Sequence, residues 1–449
     1  MSDPRFPLEF VWGAATSSYQ IEGSPLADGA GESIWHRFSH TPGRVVNDET
    51  GDVACDHYRR MDDDVALMAT LGLRAYRFSV AWGRVIPEGT GAVNRAGLGF
   101  YDRLVDRLLE HGIEPFLTLY HWDLPAALDD RGGWLNRDIA GWFADYAEVM
   151  FRALDDRVRH WITLNEPWVI VDAGYVNGVH APGHADLGEA PVAAHNLLRA
   201  HGEAVARYRE TGCHRIGIAV NLEPKYPVSD STADREAASR AHAYLNRQFL
   251  DPLFRGSYPQ ALARIYGGAW REPAGEEMER ISRPMDFLGV NYYTRSVVRA
   301  SDEPPFFAAA VPQTGAPHTE MDWEVYPRGL SDTLSWLVDR YDAPPIYVTE
   351  NGAACPDITV PGGSVEDADR IAYLKAHLKA VLDVRSRGVD ARGYFVWSLF
   401  DNFEWSLGYA KRFGIVRVDF SDASRKRTPK ASANFYSRVI DSRGGSLFD

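Results

Sequence analysis

The chain has 449 residues, 45% hydrophobic and 24% charged, an ordinary globular composition that excludes wholesale disorder and a collagen-like repeat. Its 48 basic and 62 acidic residues leave a net charge of −14, which argues against a nucleic-acid partner, since phosphate contacts need clustered Lys and Arg. Three scattered cysteines, Cys55, Cys213 and Cys355, make neither a disulfide scaffold nor a zinc ribbon. The first ten residues, MSDPRFPLEF, hold no apolar signal core, and no apolar stretch approaches the ~18 residues of a membrane span. No N-x-[ST] site occurs either, so a cytoplasmic, reducing address with no membrane partner is expected.

Eight short apolar or β-rich runs punctuate the chain. FVWGA starts at Phe10, RAYRFSV at Arg74, PFLTLY at Pro115 and HWITL at His160. RIGIAVNL follows at Arg215, DFLGVN at Asp286, PIYVT at Pro345 and GYFVW at Gly393. Continuous rather than alternating runs mark strands buried on both faces, as in parallel sheets. Helices fit between them. Tyr58, Met61, Val65, Met68 and Leu71 recur at helical spacing and stop at Gly72; Leu98, Tyr101, Leu104, Val105 and Leu108 repeat the pattern and stop at Gly112. Further helices are predicted over Ile139–Leu154 and over 371–384, with Gly388 beyond the latter. Asp56 and Asp62, Asp63 and Asp64 read as helix N-terminal charges. Eight strands alternating with helices predict an α/β fold, a single (β/α)8 TIM barrel spanning 1–449 as one catalytic domain. Its βα loops are long, above all 23–55 and 295–326.

In such barrels the chemistry sits at the C-terminal strand ends. The fourth run ends Thr163-Leu164-Asn165-Glu166-Pro167 and the seventh Thr349-Glu350-Asn351-Gly352. One Glu after a strand is more often a helix cap or a surface charge. Two at one rim, each beside an Asn, are the minimal equipment for glycoside hydrolysis. Other strand ends supply Gln20 and Glu22, Arg77, His121-Trp122-Asp123, Asn291-Tyr292-Tyr293, Trp397, and then Glu404-Trp405. Amide, imidazole, carboxylate and indole groups suit a hydroxyl-rich, uncharged ligand, whereas phosphate would call for clustered Arg, Lys or backbone amides. The 13 Trp, 21 Tyr and 20 Phe serve mostly as core, and some suit the flat faces of a pyranose.

These motifs resemble glycoside hydrolase family 1, the β-glucosidase family. The resemblance rests on FVWGAATSSYQIEG over 10–23, TLNEP, IYVTENG, WSLFDNFEW over 397–405, YAKRFG over 409–414 and WEVYP over 323–327, spread over almost the whole chain. It implies a retaining, exo-acting β-glucosidase with no cofactor and no metal. Glu166 would be the acid/base and Glu350 the nucleophile. Asn165 would bond the sugar 2-hydroxyl; Gln20, His121, Trp122, Glu404 and Trp405 would hold the other hydroxyls. Trp397 would be the stacking floor, with Trp323 and Phe413 as further walls and Asn291 lining the site. Arg77 and Tyr293 would support Glu350. Substrates would be terminal β-D-glucosides of oligosaccharides or of aryl and alkyl alcohols, with β-fucosides and β-galactosides accepted too. The family's 6-phospho branch clamps phosphate with Ser, Lys and Tyr near the eighth strand; here Glu404 would repel it, and Lys411 is the one residue that favours that alternative.

Other readings are weaker. His180 and His184 have i, i+4 spacing, but Pro182-Gly183 between them breaks the helix a metal pair would need. His57 and His195 read as structural or helix-surface groups, and Cys355 as a passive neighbour of Glu350. A non-catalytic sugar-binding barrel would be expected to lack a catalytic Glu. A metal-dependent isomerase would need a cluster of His and carboxylate ligands at the rim.

Overall fold

The structure, a computed structural model, describes residues 5–360 and 363–449; residues 1–4 of the first ten lie outside that range. Eight parallel strands close into a barrel: β1 Val11–Ala15, β2 Ala75–Ser79, β3 Glu114–Tyr120, β4 His160–Asn165, β5 Arg215–Asn221, β6 Phe287–Asn291, β7 Ile346–Asn351 and β8 Ala391–Trp397. Each overlaps one of the eight predicted runs, because a strand covered on both faces must be apolar along its length. The order around the barrel is sequential, and β1 closes it by pairing with both β2 and β8. Helices return the chain outside: α1 His57–Thr70, α2 Arg95–Glu110, α3 Ile139–Leu154, α4 Ala190–Thr211, α5 Gln248–Arg255, α6 Pro327–Tyr341, α7 Ala368–Ser386 and α8 Ala431–Asp441. Gly72, Gly112 and Gly388 end α1, α2 and α7 at positive φ, as their positions suggested.

The acidic residues around α1 behave differently from expectation. The Asp56 carboxylate takes bonds from Arg59 and Arg60 and does not cap the helix backbone. Asp64 is buried, accepting from Arg427 at 2.8 Å and lying 2.8 Å from His57 Nδ1. A charge inside a helix shows its burial only when its partner, here 363 residues away, is known.

The barrel interior is filled by Phe116, Phe287, Tyr347 and Phe395 beside small residues from Ala15, Ala75 and Ala219. The Phe116 ring lies 4.8 Å from that of Phe395 and stacks on His160 at 4.1 Å. Glycines make room for these rings: a Cβ on Gly13 would fall 2.4 Å from the Phe395 ring. The long loops build the rim. The 23–55 loop carries a short helix, Ile34–Ser39. Strands Ser296–Ala300 and Ala308–Ala310, from the 295–326 loop, form a small sheet with Lys225–Pro227 from the loop after β5. Phe6 N–H donates to the Arg443 carbonyl, tying the segment before β1 to the one after α8.

Gly13→Ala should overpack the interior and cost about 1–3 kcal/mol, read as a lowered Tm. Adding Phe395→Leu should recover part of that loss, since neighbours sharing one space are not additive. Purely additive losses in the double variant would show that the Phe395 ring is not what the glycine accommodates.

Candidate active site

Both strand ends that deliver carboxylates are irregular. Pairing of β4 with β5 slips between Ile162 and Asn165, and pairing of β7 with β6 slips between Val348 and Glu350. Bulges re-aim side chains and recur beside active sites. Here Thr163 points outward to His201 of α4, while Asn165 turns in. On β7 two successive side chains face inward: Thr349 bonds Asn291 and Glu350 bonds Arg77, before Asn351 turns out to Tyr373 of α7. Glu166 itself has φ 47° and precedes the short helix Pro167–Val171. Trp122 and Trp405 also have positive φ, 83° and 51°. Three side-chain-bearing residues in this sparsely populated region at one site mark backbone strain held by its surroundings.

Glu350 is held by two donors. Arg77 Nη1 reaches Oε1 at 2.6 Å and Tyr293 Oη reaches Oε2 at 2.6 Å. The same guanidinium donates to the Thr349 carbonyl at 3.1 Å, to Asn165 Oδ1 at 2.5 Å and to Thr118 Oγ1 at 3.3 Å, so β2 is tied to β3, β4 and β7. Glu166 has a single amide donor, Asn291 Nδ2, at 2.8 Å. Burial, and then the negative charge of Glu350, push its carboxyl up to about 8. Burial also raises Glu350, but Arg77 and the Tyr293 hydroxyl oppose that rise. One cation faces one member of the pair, so the shared proton resides on Glu166 and Glu350 is the anion.

The rest of the site offers unspent polar atoms. Asn165 Nδ2 donates to His121 Nε2 at 2.9 Å, which puts the ring proton on Nδ1. That Nδ1 is buried with no partner, and burial and Arg77 keep the ring neutral. Glu404 is also raised to about 8, by burial and by Glu350, and its one donor, Gln20 Nε2, is 3.4 Å away. Both arrangements are costly on their own, and hydroxyl groups that accept from His121 and donate to Glu404 would relieve them. Trp397 stacks near His121 at 5.8 Å, and Trp405 lies 4.6 Å from Trp122. The Trp397-Ser398 peptide is cis.

The cavity measures about 890 Å³. Glu166, Glu350, His121, Trp122, Asn291, Tyr293, Trp323, Trp397, Glu404, Trp405 and Phe413 all line it. Gln20, Asn165 and Arg77 sit directly behind, bonded to those residues. Trp323 is a wall, packed on Tyr293 at 5.3 Å with Phe413 beyond. Glu22 and Asp123 face a separate small cavity instead: Glu22 pairs with Arg84, and Asp123 accepts from Ser18. Lys411 donates to the Glu320 carbonyl. His180 and His184 part company, His184 bonding Glu189 while His180 lines the cavity against Trp122. The sequence reading weighed His180 only as a metal ligand and passed over Trp168 and Asn221; all three are on the cavity wall. Asn221 ends β5 and Trp168 follows Glu166-Pro167, so the strand-end rule pointed at both.

The family model for glycosyl hydrolase family 1 matches residues 2–445. The chain belongs to that family. It is similar to beta-glucosidase A of Thermotoga maritima, 49% identical over 446 residues that cover 99% of each protein. It is also 45% identical to a bifunctional beta-D-glucosidase/beta-D-fucosidase of Bifidobacterium breve, covering 97% of this chain and 98% of that protein. Among solved structures, a family 1 β-glucosidase from T. maritima in complex with isofagomine lactam matches with a TM-score of 0.95 at 50% identity, over 98% of this chain and 99% of that one.

For this family 1 chain, the paired carboxyls set the pH limits. Activity that needs ionised Glu350 and protonated Glu166 should fall as pH rises through about 8. Tyr293→Phe removes a donor to the ionised form of Glu350 and so raises its pKa. The acid limb of kcat/KM should then move to higher pH by about 1–2 units, the worth of a hydrogen bond to a charged group. An unmoved acid limb would mean that Glu350 is not the group titrating there.

Proposed function

We propose that the protein is a retaining, exo-acting β-glucosidase acting on terminal non-reducing β-D-glucosyl residues of oligosaccharides and of aryl or alkyl glucosides. The observation that carries this reading is the division within the carboxyl pair: Glu350 gripped by a guanidinium and a phenol, Glu166 left with an amide and a proton. In the first step the Glu350 carboxylate attacks the anomeric carbon while Glu166 gives its proton to the departing glycosidic oxygen. In the second step water attacks that carbon, Glu166 takes its proton, and the bond to Glu350 breaks. With Glu350 esterified its repulsion is gone, so the Glu166 carboxyl becomes a stronger acid, and its conjugate base suits the water step. No cofactor enters this chemistry.

Exo action is the reading we favour for a cavity whose floor is closed by the packed barrel interior, including Tyr347 and Phe395. Glucose recognition falls to His121 and Glu404, with Gln20 and Asn165 bracing them, Trp397 as floor, and Trp122 and Trp405 beside it. β-Fucosides and β-galactosides would fit the same surface; the likeness to the bifunctional relative supports the first. A 6-phosphoglucoside is disfavoured. Among the described residues, Arg295 is the one guanidinium on the cavity wall, and two 2.9 Å bonds commit it to Glu324. A role in degrading cello-oligosaccharides follows from this specificity. We place the enzyme in the cytoplasm, as one catalytic domain, where its three free thiols would stay reduced. No helix among the described residues is long and apolar enough to cross a membrane.

Proton NMR of an aryl β-D-glucoside during turnover should show β-glucose before its α anomer. If α-glucose appears first, Glu350 acts as a base and the double displacement is wrong. Glu350→Gly should lose hydrolysis while keeping the fold, and azide should restore slow formation of the α-glucosyl azide. Glu166→Ala should slow alkyl glucosides by about 10²–10⁴ and spare aryl glucosides with good leaving groups. Equal losses for both substrate types would overturn the assignment of Glu166 as the acid.

A further inference from the structure

The loop after β1 holds a cluster that the hydrolytic chemistry does not use. His36 lies in the helix Ile34–Ser39 and His40 follows at its C-terminal end, their rings stacked with centroids 4.2 Å apart. Asp52 faces both. Its Oδ2 is 3.1 Å from His40 Nε2 and its Oδ1 is 3.9 Å from His36 Nε2. The three candidate ligand atoms lie within 4.8 Å of one another.

The protons make this arrangement informative. His36 Nδ1 is 3.0 Å from Glu32 Oε1, and His40 Nδ1 is 2.7 Å from the His36 carbonyl. Those partners only accept, so each ring carries a proton on Nδ1 and presents Nε2 to Asp52. In neutral rings both Nε2 atoms are lone pairs aimed at a carboxylate, acceptor against acceptor. Asp52 Oδ1 is a buried oxygen with no donor at all. A single cation between the three groups satisfies every one of them.

We propose that His36, His40 and Asp52 bind a divalent first-row transition-metal ion of the Zn²⁺, Co²⁺, Ni²⁺ and Cu²⁺ class, through two Nε2 atoms and one carboxylate, with water completing the shell. A tetrahedral ion at ~2.0–2.2 Å spaces its ligands about 3.3 Å apart. The 3.1 Å separation already fits; closing the 3.9 Å one requires the two imidazoles to swing out of their stack, because each Nε2 lone pair lies in its ring plane. Imidazole ligands disfavour Mg²⁺ and Ca²⁺. Glu32 on one ring and a carbonyl on the other are the outer partners that fix metal-binding histidines. Glu32 is itself held by Arg37 at 2.7 Å.

The ion would clip the helix at Ile34–Ser39 to the 49–52 segment. Trp35 on that helix packs against Trp405 at 4.5 Å, and Glu49 accepts from the Tyr409 backbone at 2.7 Å. The site is thus a clamp behind the indole wall, and its effect falls on stability rather than on the chemical step.

The test uses full-length protein without a histidine tag, stripped with chelator, and titrated with Zn²⁺ by calorimetry and with Co²⁺ by visible absorption. One Zn²⁺ per chain is expected, with Co²⁺ d–d bands of a low-coordinate site. At a hundredfold excess over Kd the ratio of folded to unfolded protein should rise about 100-fold, seen as a higher Tm. The His36→Gln/His40→Gln double variant should keep its activity and lose the bands, the stoichiometric binding and the Tm shift. Glu32→Gln, which leaves all three ligands in place, should weaken Zn²⁺ about 10–100-fold. Undiminished binding in the double variant overturns the proposal. So does loss of binding on Cys213→Ser/His214→Gln, which removes the other His/Cys/Asp grouping, at Asp155, Cys213 and His214. Absence of any binding at millimolar Zn²⁺ overturns it equally.

Discussion

The guanidinium of Arg77 is a fixed charge inside a protein, and a buried charge is tolerated only when it is paired and its donors are used. Its partners are Glu350, Asn165, the Thr349 carbonyl and Thr118, drawn from three neighbouring and opposite strands. Every other feature of the site follows from that commitment. Because Arg77 faces Glu350, one carboxylate is the anion. Because Glu166 is buried and that anion lies near it, the second carboxyl keeps its proton. Because Asn165 spends its oxygen on Arg77, its nitrogen must donate, and His121 is turned to present Nδ1. A chain of hydrogen bonds with a single sense thus runs from the cation to the sugar-facing rim.

The same arrangement explains why three residues of the site sit at positive φ. Regular strand geometry alternates side chains and cannot place Asn165 beside Glu166, or Thr349 beside Glu350, on the inner surface. The bulges and the left-handed turns at Trp122, Glu166 and Trp405 break the alternation where the chemistry requires it. The cost of these conformations is offset by the densely bonded aromatic shell around them, in which Trp35, Trp122, His180 and Trp405 contact one another.

Much of this was legible in the sequence. All eight barrel strands were, because burial on both faces leaves continuous apolar runs, and so were the residues that end them. Glu166 and Glu350 stood out as a pair, since one carboxylate after such a run reads as a helix cap or surface charge, whereas two at one rim, each beside an Asn, do not. What stayed hidden was direction. Glu22 and Asp123 occupy strand-end positions like those of Gln20 and His121, yet they turn to a neighbouring cavity beside Arg84. Asp64 looked like a helix-end charge and is a buried ligand of Arg427. His180 looked like half of a broken metal pair, while His36 and His40, with their third group in a different loop segment, drew no notice. For Glu22, Asp123 and Asp64 the deciding partner is 62 or more residues away in sequence, and one-dimensional spacing carries no trace of it.

The barrel closes by joining its first strand to its last, and Gln20 reaches the Phe403 carbonyl and Glu404 across that seam. Synthesis on the ribosome therefore delivers the two halves of the sugar-holding surface at opposite ends of translation. Glu350 and Glu166 can already be in place while Trp397, Glu404 and Trp405 are still to come. A nascent or truncated chain would carry both carboxyls with the His121 side of the cavity but without its Trp397, Glu404 and Trp405 side.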